Sequence, residues 1–194
     1  MFEETPMRII AGLAKGRKLA APKGCHTRPT ADRVKEAIFS VIAEHLADSR
    51  VLDPFAGSGA LGLEALSRGA REAVMIENHW SSFRILCQNL QQSALPGGLT
   101  YRGDCRKIIP SQKGQFDLIF LDPPYNQGYL RQVLQLLLAG NLLTESSILI
   151  IETAAKEPED FLLPGFFVDK ESIYGDTVIY YARRQKLEDR GQNL

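Results

Sequence analysis

Four consecutive residues, Asp122-Pro123-Pro124-Tyr125, combine an acid, a rigid turn and an aromatic ring directly after the apolar run from Phe116 to Leu121. Such a run is typical of a buried strand in a parallel sheet, and ligands of these sheets bind beyond the carboxyl ends of the strands. The Asp122 carboxylate and the Pro123 carbonyl offer two acceptors, which suit the two N–H bonds of an exocyclic amine on adenine, guanine or cytosine. Tyr125 offers a ring that can stack on the base. The segment therefore predicts a site for a flat, nitrogen-rich ring, with Asp122, Pro123 and Tyr125 as its catalytic residues.

The alternative interpretation of these four residues is structural. Asp-Pro commonly begins a turn, and two successive prolines end strand pairing because they lack N–H donors. A second motif, in another part of the chain, favours the functional interpretation.

That second motif is the turn from Asp53 to Gly59, which follows the short strand Val51-Leu52 and opens a helix. Gly57, Gly59 and Gly62 satisfy the pattern G-x-G-x-x-G, and Glu77 follows at the end of the next predicted strand. Both are features of dinucleotide-binding proteins. The motif alone leaves two cofactors open, a nicotinamide nucleotide and S-adenosylmethionine.

Three acids at successive predicted strand ends, Asp53, Glu77 and Asp104, distinguish the two cofactors. Negative charge opposes a pyrophosphate, whereas S-adenosylmethionine carries an ammonium and a sulfonium and has no phosphate. The acids therefore favour S-adenosylmethionine. Glycines that only pack a helix, with solvent-exposed acids beside them, are the structural alternative.

The composition is that of an ordinary globular protein. The chain has 194 residues, of which 44% are hydrophobic and 24% charged, and its formal net charge is zero. No apolar stretch approaches the roughly 20 residues that span a membrane, and Glu3 and Glu4 argue against a secretory signal, so we expect a cytoplasmic protein. Cys25, Cys87 and Cys105 include no close pair, which favours reduced thiols. The three histidines lack metal-ligand spacing, and we predict no metal site.

The charge is unevenly distributed. Residues 1–35 contain eight basic and three acidic side chains, a net charge of +5, which leaves −5 for the rest of the chain. This asymmetry indicates a basic arm that binds a polyanion, although a solvated charged surface would give the same count. Two short segments around Gly12 to Gly16 predict a β-hairpin with basic residues near its tip.

Strands and helices alternate from Arg50 onward, which predicts a parallel sheet of βαβ units. An earlier amphipathic helix is predicted over Ala31 to Ala47, with Thr30 as its N-cap. The remaining elements are listed in chain order: strands at 51–52, 73–76, 99–102, 116–121 and 148–151, helices at 60–67, 80–93 and 129–138, and a closing antiparallel hairpin formed by 166–173 and 177–182. The expected fold class is α/β, a mostly parallel seven-stranded sheet with helices on both faces.

The chain resembles the RsmD-type class I methyltransferases, bacterial enzymes that methylate N2 of a guanine in 16S ribosomal RNA. The resemblance covers nearly the whole chain, and it is carried by the blocks Met7 to Gly12, Gly16 to Leu19, Arg28 to Glu36, Asp53 to Leu66, Ile76-Glu77 and Asp122 to Tyr125. It implies a Rossmann-like methyltransferase domain at residues 28–185, which follows the basic N-terminal hairpin arm at 1–27. The six residues before Met7 and a polar tail at 186–194 depart from the family pattern. The block D-P-P-Y alone is shared with many amino-methyltransferases that act on adenine.

The resemblance also implies roles for particular residues. Glu77 would bind the ribose hydroxyls of S-adenosylmethionine, Asp104 and Cys105 its adenine, and the Asp53 turn its methionine end. The full expected cofactor set is Asp53, Phe55, Ala56, Gly57, Ser58, Gly59, Glu77, Asn78, Asp104, Cys105 and Asp122. The expected RNA-binding set is Arg8, Lys15, Arg17, Lys18, Arg28, Thr30 and Arg33.

The predicted function is methyl transfer from S-adenosylmethionine to the N2 amine of a guanine in 16S rRNA, a step of rRNA processing. We expect a monomer that acts on an assembled or assembling small ribosomal subunit. Three alternatives remain at this point: an N6-adenine methyltransferase on RNA or DNA, a nicotinamide-dependent oxidoreductase, and a noncatalytic RNA-binding assembly factor.

Overall fold

The architecture is a single seven-stranded sheet. A computed structural model describes residues 7–21, 29–124, 128–154 and 164–184, without the side chains of 29–31 and 154. The strands are β1 (Arg50–Asp53), β2 (Glu72–Glu77), β3 (Gly98–Arg102), β4 (Phe116–Leu121), β5 (Leu143–Ala154), β6 (Phe166–Tyr174) and β7 (Thr177–Arg184). Their order is β3-β2-β1-β4-β5-β7-β6. The first five strands are parallel, and β7 is antiparallel to both β5 and β6. The predicted sheet and its closing hairpin are therefore confirmed.

Helices cover both faces of this sheet. They are α1 (Pro29–Val41), α2 (Ala60–Ser67), α3 (Trp80–Ser93), α4 (Cys105–Ile108) and α5 (Tyr129–Ala139). One hydrophobic core contains apolar side chains of α1, α2 and α3, and a second contains those of α4 and α5. The central strands are apolar on both faces because both are covered.

The first helix differs from its predicted bounds. It begins at Pro29 and ends at Val41, and a 3₁₀ turn at Ala43–His45 replaces the last predicted turn. Thr30 therefore lies inside the helix, and the prediction that it is the N-cap is wrong. Proline suits the first turn because its φ is already helical and its missing N–H would have no partner there.

Residues 7–21 form the predicted hairpin, but as a compact loop and not as two extended strands. Arg8 and Lys18 make an isolated antiparallel bridge, and the Ile9 N–H donates to the Arg17 carbonyl at 3.0 Å. Ile9, Ala14 and Leu19 are buried in the core that α1, α2 and α3 share. The hairpin is therefore packed into the domain. The proposed domain boundary at residue 27 lies outside the described residues and stays a prediction.

A buried carboxylate of α2 fixes the hairpin. Glu64, with no solvent exposure, accepts hydrogen bonds from the backbone N–H groups of Ile10 at 2.7 Å and Ala11 at 3.0 Å. Gly12 follows with φ +82°, and a Cβ there would lie 1.8 Å from the Ser67 carbonyl oxygen. Only glycine permits this approach of the loop to the end of α2.

Candidate active site

A cleft of about 570 Å³ opens at the carboxyl ends of the parallel strands. Its lining comes from the segments that follow β1, β2, β3 and β4 and from α5: Pro54, Phe55, Glu77, Asn78, His79, Gly103, Asp104, Cys105, Asp122, Pro124 and Tyr129. Phe55 and Tyr129 meet edge to face, with ring centroids 6.0 Å apart. The cleft thus lies where a parallel α/β sheet binds its ligands.

The glycine turn after β1 is held in place from several sides. Gly59 has φ +84°, a conformation that L side chains rarely adopt, and a Cβ there would lie 2.4 Å from Leu86 Cδ1 of α3. The backbone conformation therefore favours glycine at this position. The Ser58 carbonyl accepts a hydrogen bond from Asn89 Nδ2 at 2.9 Å, and the Ala56 N–H donates to the Ile76 carbonyl at 3.0 Å. The turn is therefore a rigid part of the cleft's structure.

Glu77 fastens this turn to the end of β2. Its Oε2 accepts from the Gly57 N–H at 2.9 Å and its Oε1 from the His79 N–H at 2.6 Å, while the side chain lines the cleft. Each carboxylate oxygen still has a lone pair available. The geometry is compatible with a further donor such as a ribose hydroxyl, and that role of Glu77 stays a prediction.

Asp104 is paired with a cation, which the sequence analysis did not anticipate. It caps the short helix α4 by accepting from the Arg106 N–H, and it also accepts from the Arg106 guanidinium. These hydrogen bonds hold the pKa of Asp104 below its ordinary value. Arg106 in turn lies over the Tyr129 ring, 4.3 Å from its centroid. Because Arg106 neutralises it, Asp104 adds little net negative charge to the cleft, and the other acids provide most of that charge.

Cys105 lies next to Asp104 and is buried. Desolvation raises the pKa of its thiol to about 11. The thiol therefore stays protonated near neutral pH and is a packing and lining residue, not a nucleophile.

Three carboxyl groups come together at the ends of neighbouring strands: Asp53 of β1, Asp122 after β4 and Glu152 of β5. Asp53 is 3% exposed, and burial together with the charge of Asp122 raises its pKa to about 7, against hydrogen bonds from the backbone of Gly62 and Phe55. Asp122 is exposed to the cleft, but protein surrounds its remaining sides, and desolvation raises its pKa to about 6. The cluster favours positively charged ligands and hydrogen-bond donors.

Glu152 is a neighbour of Asp122 that the sequence did not predict. The register pairs Leu121 of β4 with Ile151 of β5, so the next residues along, Asp122 and Glu152, are neighbours. Burial and the charge of Asp122 raise the pKa of Glu152 to about 7. The sequence did contain the signal, because Glu152 is the first charged residue after the apolar run Ile148 to Ile151, as Asp122 is after β4.

The structure brings together many of the predicted cofactor residues. Phe55, Glu77, Asn78, Asp104, Cys105 and Asp122 line the cleft. Asp53, Ala56, Ser58 and Gly59 are buried behind that lining, where Asp53 acts on the charge of the site and the others shape the turn. Pro123 is buried beside Asp122. Tyr125 lies outside the described residues, so its predicted stacking on a base stays a prediction.

The predicted RNA-binding residues separate into two groups. Arg8, Lys15, Arg17 and Lys18 are exposed on the hairpin, and Arg33 is exposed on α1. Arg17 donates to the Gln92 carbonyl near the end of α3, which holds the hairpin against that helix. Arg28 and the side chain of Thr30 fall outside the described part of the chain.

Metal clusters and membrane-spanning helices are both absent from the described residues. These residues contain no cluster of three or more His, Cys, Asp or Glu side chains with metal-binding geometry. Within the same ranges, no helix combines the length and the apolar character that crossing a membrane requires.

The sheet order, the glycine turn and the acidic strand ends define a Rossmann-like fold of the methyltransferase class. A solved structure, "Putative methyltransferase yhhF from Escherichia coli", matches it with a TM-score of 0.83 and 30% identity over 93% of this chain and 99% of that one. The sequence model of the family described as "Conserved hypothetical protein 95" matches residues 7–183, and the chain belongs to that family.

Named relatives agree with this assignment. The Ribosomal RNA small subunit methyltransferase D of Escherichia coli strain K12 is 31% identical over 92% of this chain and 90% of its own length. The protein of the same name from Haemophilus influenzae is 36% identical over 78% of this chain and 81% of its own length. These matches confirm the resemblance to RsmD-type methyltransferases.

Proposed function

We propose that this enzyme transfers a methyl group from S-adenosylmethionine to the exocyclic N2 amine of a guanine in small-subunit ribosomal RNA. The observation that carries the proposal is the position of Asp122, which lies in the same cleft as Glu77 and the glycine turn, at the end of a parallel strand. Relatives named for small-subunit rRNA methylation cover nearly the whole chain.

The residues of the cleft fit the proposed cofactor. Glu77 presents carboxylate oxygens to hydroxyl groups, and Phe55 and Tyr129 give apolar surface for a flat base. Asp53 and Asp122 are carboxyl groups with raised pKa values, and the ammonium and sulfonium of S-adenosylmethionine would stabilise their ionised forms. When bound, this cofactor supplies an electrophilic methyl group.

The protein's contribution to the reaction is positioning and charge stabilisation. The guanine is taken out of its stack, and its amine donates to the Asp122 carboxylate and the Pro123 carbonyl. These acceptors stabilise the positive charge that develops on nitrogen as the N–C bond forms. A carboxylate whose pKa is about 6 is also suited to accept the departing proton near neutral pH.

One observation favours guanine over adenine. Glu152 adds a second carboxylate beside Asp122. Guanine presents N–H donors at both N1 and N2, whereas N1 of adenine is an acceptor and would face negative charge. Two adjacent carboxylates therefore suit the edge of guanine.

The test is incubation of the protein with isotopically labelled S-adenosylmethionine and small ribosomal subunits that lack the modification, followed by mass spectrometry of the nucleosides. We expect label in N2-methylguanosine. Label in N6-methyladenosine, or no incorporation while S-adenosylhomocysteine binds in calorimetry, would overturn the proposal. Binding of NADH in place of S-adenosylhomocysteine would indicate the oxidoreductase.

A further inference from the structure

A second surface, outside the cleft, has the composition of a single-stranded RNA contact. It consists of Trp80, Arg84 and the neighbouring groove on the outer face of α3, with Arg102 of β3. The groove has a volume of about 540 Å³ and is lined by Trp80, Ser81, Arg84, Ile85, Cys87, Gln88 and Gln91. We call it the α3 surface.

Trp80 is the most conspicuous residue of the α3 surface. It is the only tryptophan of the chain, and 57% of it is exposed. Its ring stacks on Phe83 with centroids 6.2 Å apart, and the Arg102 guanidinium lies 5.2 Å from the indole centroid. A large aromatic ring exposed beside an arginine is the usual arrangement on which nucleic-acid bases stack while the cation contacts the backbone.

The charge of the surrounding chain is complementary to RNA. Residues 78–103, which include α3 and β3, contain Arg84 and Arg102 and no acidic residue. The hairpin of residues 7–21 contains four basic residues and no acidic one. The two segments are in contact, since Arg17 donates to the Gln92 carbonyl and the Ala20 N–H donates to Asn89 Oδ1 at 2.8 Å. The two segments therefore adjoin and neither contains a carboxylate, and the nearby acid Asp32 of α1 lies 3.8 Å from Arg8 Nε.

The location of the α3 surface is also suitable for contact with RNA that enters the cleft. Asn78 and His79 line the cleft immediately before Trp80, and Gly103 lines it immediately after Arg102. The α3 surface therefore begins at the rim of the cleft, on the side of β3. An RNA strand whose base enters the cleft has flanking nucleotides within reach of this rim.

We propose that the α3 surface binds a single-stranded segment of the substrate RNA. One base stacks on Trp80, while Arg84 and Arg102 contact phosphates. The proposal rests on the proposed function, because it assigns the flanking RNA to a face of the same enzyme. It adds a contact that neither Asp122 nor the basic hairpin provides.

The sole tryptophan makes the test direct, since its fluorescence reports only on this surface. The protein, saturated with S-adenosylhomocysteine so that the cleft is filled, is titrated with a single-stranded oligoadenylate of about twelve nucleotides, a length in the range of known binding sites. We expect quenching of the emission by the single strand and little change with duplex RNA of equal length. An unchanged emission while fluorescence anisotropy shows that the labelled oligonucleotide binds, or equal quenching by the duplex, would overturn the proposal.

Substitutions then separate this surface from the site of chemistry. Trp80→Ala should weaken oligonucleotide binding by about 5- to 150-fold, the effect of losing one base–aromatic stack, and Trp80→Phe should restore most of it. Arg84→Gln should weaken binding, whereas Arg71→Gln, an exposed arginine at the opposite end of β2, should not. Equal effects of the two arginine substitutions would contradict a specific contact. If instead Trp80→Ala raises KM for ribosomal subunits but leaves oligonucleotide binding unchanged, the surface contacts a ribosomal protein and the proposal is wrong.

The proposed function can fail independently of this inference. A protein that binds the oligonucleotide through Trp80 but incorporates no methyl group would retain the α3 surface and lose the enzymatic assignment. A protein that methylates guanine but whose Trp80 emission is not quenched by the oligonucleotide would retain the enzymatic assignment and contradict the α3 surface.

Discussion

Asp122 combines exposure to the cleft with a surrounding that resists its ionisation, which is the environment of many catalytic carboxyl groups. Its neighbours Asp53 and Glu152 raise the cost of a full negative charge on all three groups. A bound cation or a donor-rich base edge relieves that repulsion. The cluster therefore links ligand binding to proton release.

Removing the charge of Asp122 separates catalysis from cofactor binding. We expect Asp122→Asn to reduce methyl transfer by about 10² to 10³-fold, the effect of losing one preorganised charge-stabilising partner. Affinity for S-adenosylhomocysteine should change by less than about tenfold, because Glu77 and the glycine turn remain. Single-turnover transfer and calorimetry measure the two quantities, and equal losses in both would contradict the assignment.

Glu152 is expected to select guanine. Glu152→Gln keeps the shape of the side chain and removes its negative charge, so kcat/KM for guanine should fall by about 5- to 150-fold, corresponding to about 1 to 3 kcal/mol for a discriminating base contact. Glu145→Gln, at an exposed position of the same strand, is the matched control. Competition between RNA substrates with guanine and with adenine at the target position measures the selectivity, and an unaltered ratio would exclude this role.

The carboxyl cluster also makes stability depend on pH. The pKa values of Asp53, Asp122 and Glu152 are raised in the folded protein, so the native state holds protons that the unfolded chain releases. Their contribution to stability is therefore fully present below about pH 4 and is lost as pH rises to about 7. Chemical denaturation at several pH values should show that Asp122→Asn gains stability relative to the native chain as pH increases. A constant difference between the two proteins across this range would contradict the coupling.

The N-terminal hairpin depends on a buried ionic network. Glu64 accepts hydrogen bonds from the hairpin backbone and from Arg68 Nε at 2.7 Å, and it lies 3.6 Å from Lys35 Nζ. Lys35 is itself buried and donates to the Arg8 carbonyl at 2.6 Å. Desolvation lowers the pKa of Lys35, and the negative charge of Glu64 opposes this change. α1, α2 and the hairpin thus share one carboxylate.

Loss of this carboxylate should be strongly destabilising. Glu64→Ala leaves Lys35 buried without its anion, and we expect a decrease in the free energy of unfolding of about 3 to 5 kcal/mol. Glu36→Ala, an exposed glutamate next to Lys35 in α1, should change it by less than about 0.5 kcal/mol. Urea denaturation measures both. A small effect of Glu64→Ala would mean that water replaces the network.

For the binding of RNA and cofactor by the whole molecule, the sign and position of the charged residues matter more than the net charge of zero. Exposed basic residues lie on the hairpin, and Arg84 and Arg102 are exposed near the cleft, while Asp53, Asp122 and Glu152 come together at the strand ends. This separation suits an enzyme whose substrate is a polyanion and whose cofactor is cationic. We expect electrostatic attraction to bring RNA to the outer surface without drawing phosphates into the cleft.

The contribution of the hairpin to RNA binding can be measured from the salt dependence of the affinity. In a variant with Arg8, Lys15 and Lys18 changed to glutamine, the log–log slope of RNA affinity against salt should become less negative by about 0.7 to 0.9 per lost phosphate contact. The control changes Arg71, Lys113 and Lys170 to glutamine, which removes the same charge from exposed positions elsewhere. Equal slopes in the two variants would show that only net charge acts. Substitution is preferable to deletion of the hairpin, since Ile9, Ala14 and Leu19 belong to the core.

The sequence by itself determined most of the elements and predicted about half of the residues that line the cleft, whose roles stay predictions. Periodicity gave α2 and α3 within their observed bounds, and the apolar run before Asp122 gave β4, because these patterns are local and the buried faces repeat at fixed intervals. The short helix α4 was missed, since four residues are too few to show a period.

Tertiary structure alone decided which acids act together. The pairing of β4 with β5 brings Glu152 to Asp122, although the two lie thirty residues apart. It also decided that the basic hairpin is packed into the core through Glu64. These relations depend on strand order and on burial, which no local pattern encodes, because contacts between distant segments form only when the whole sheet assembles.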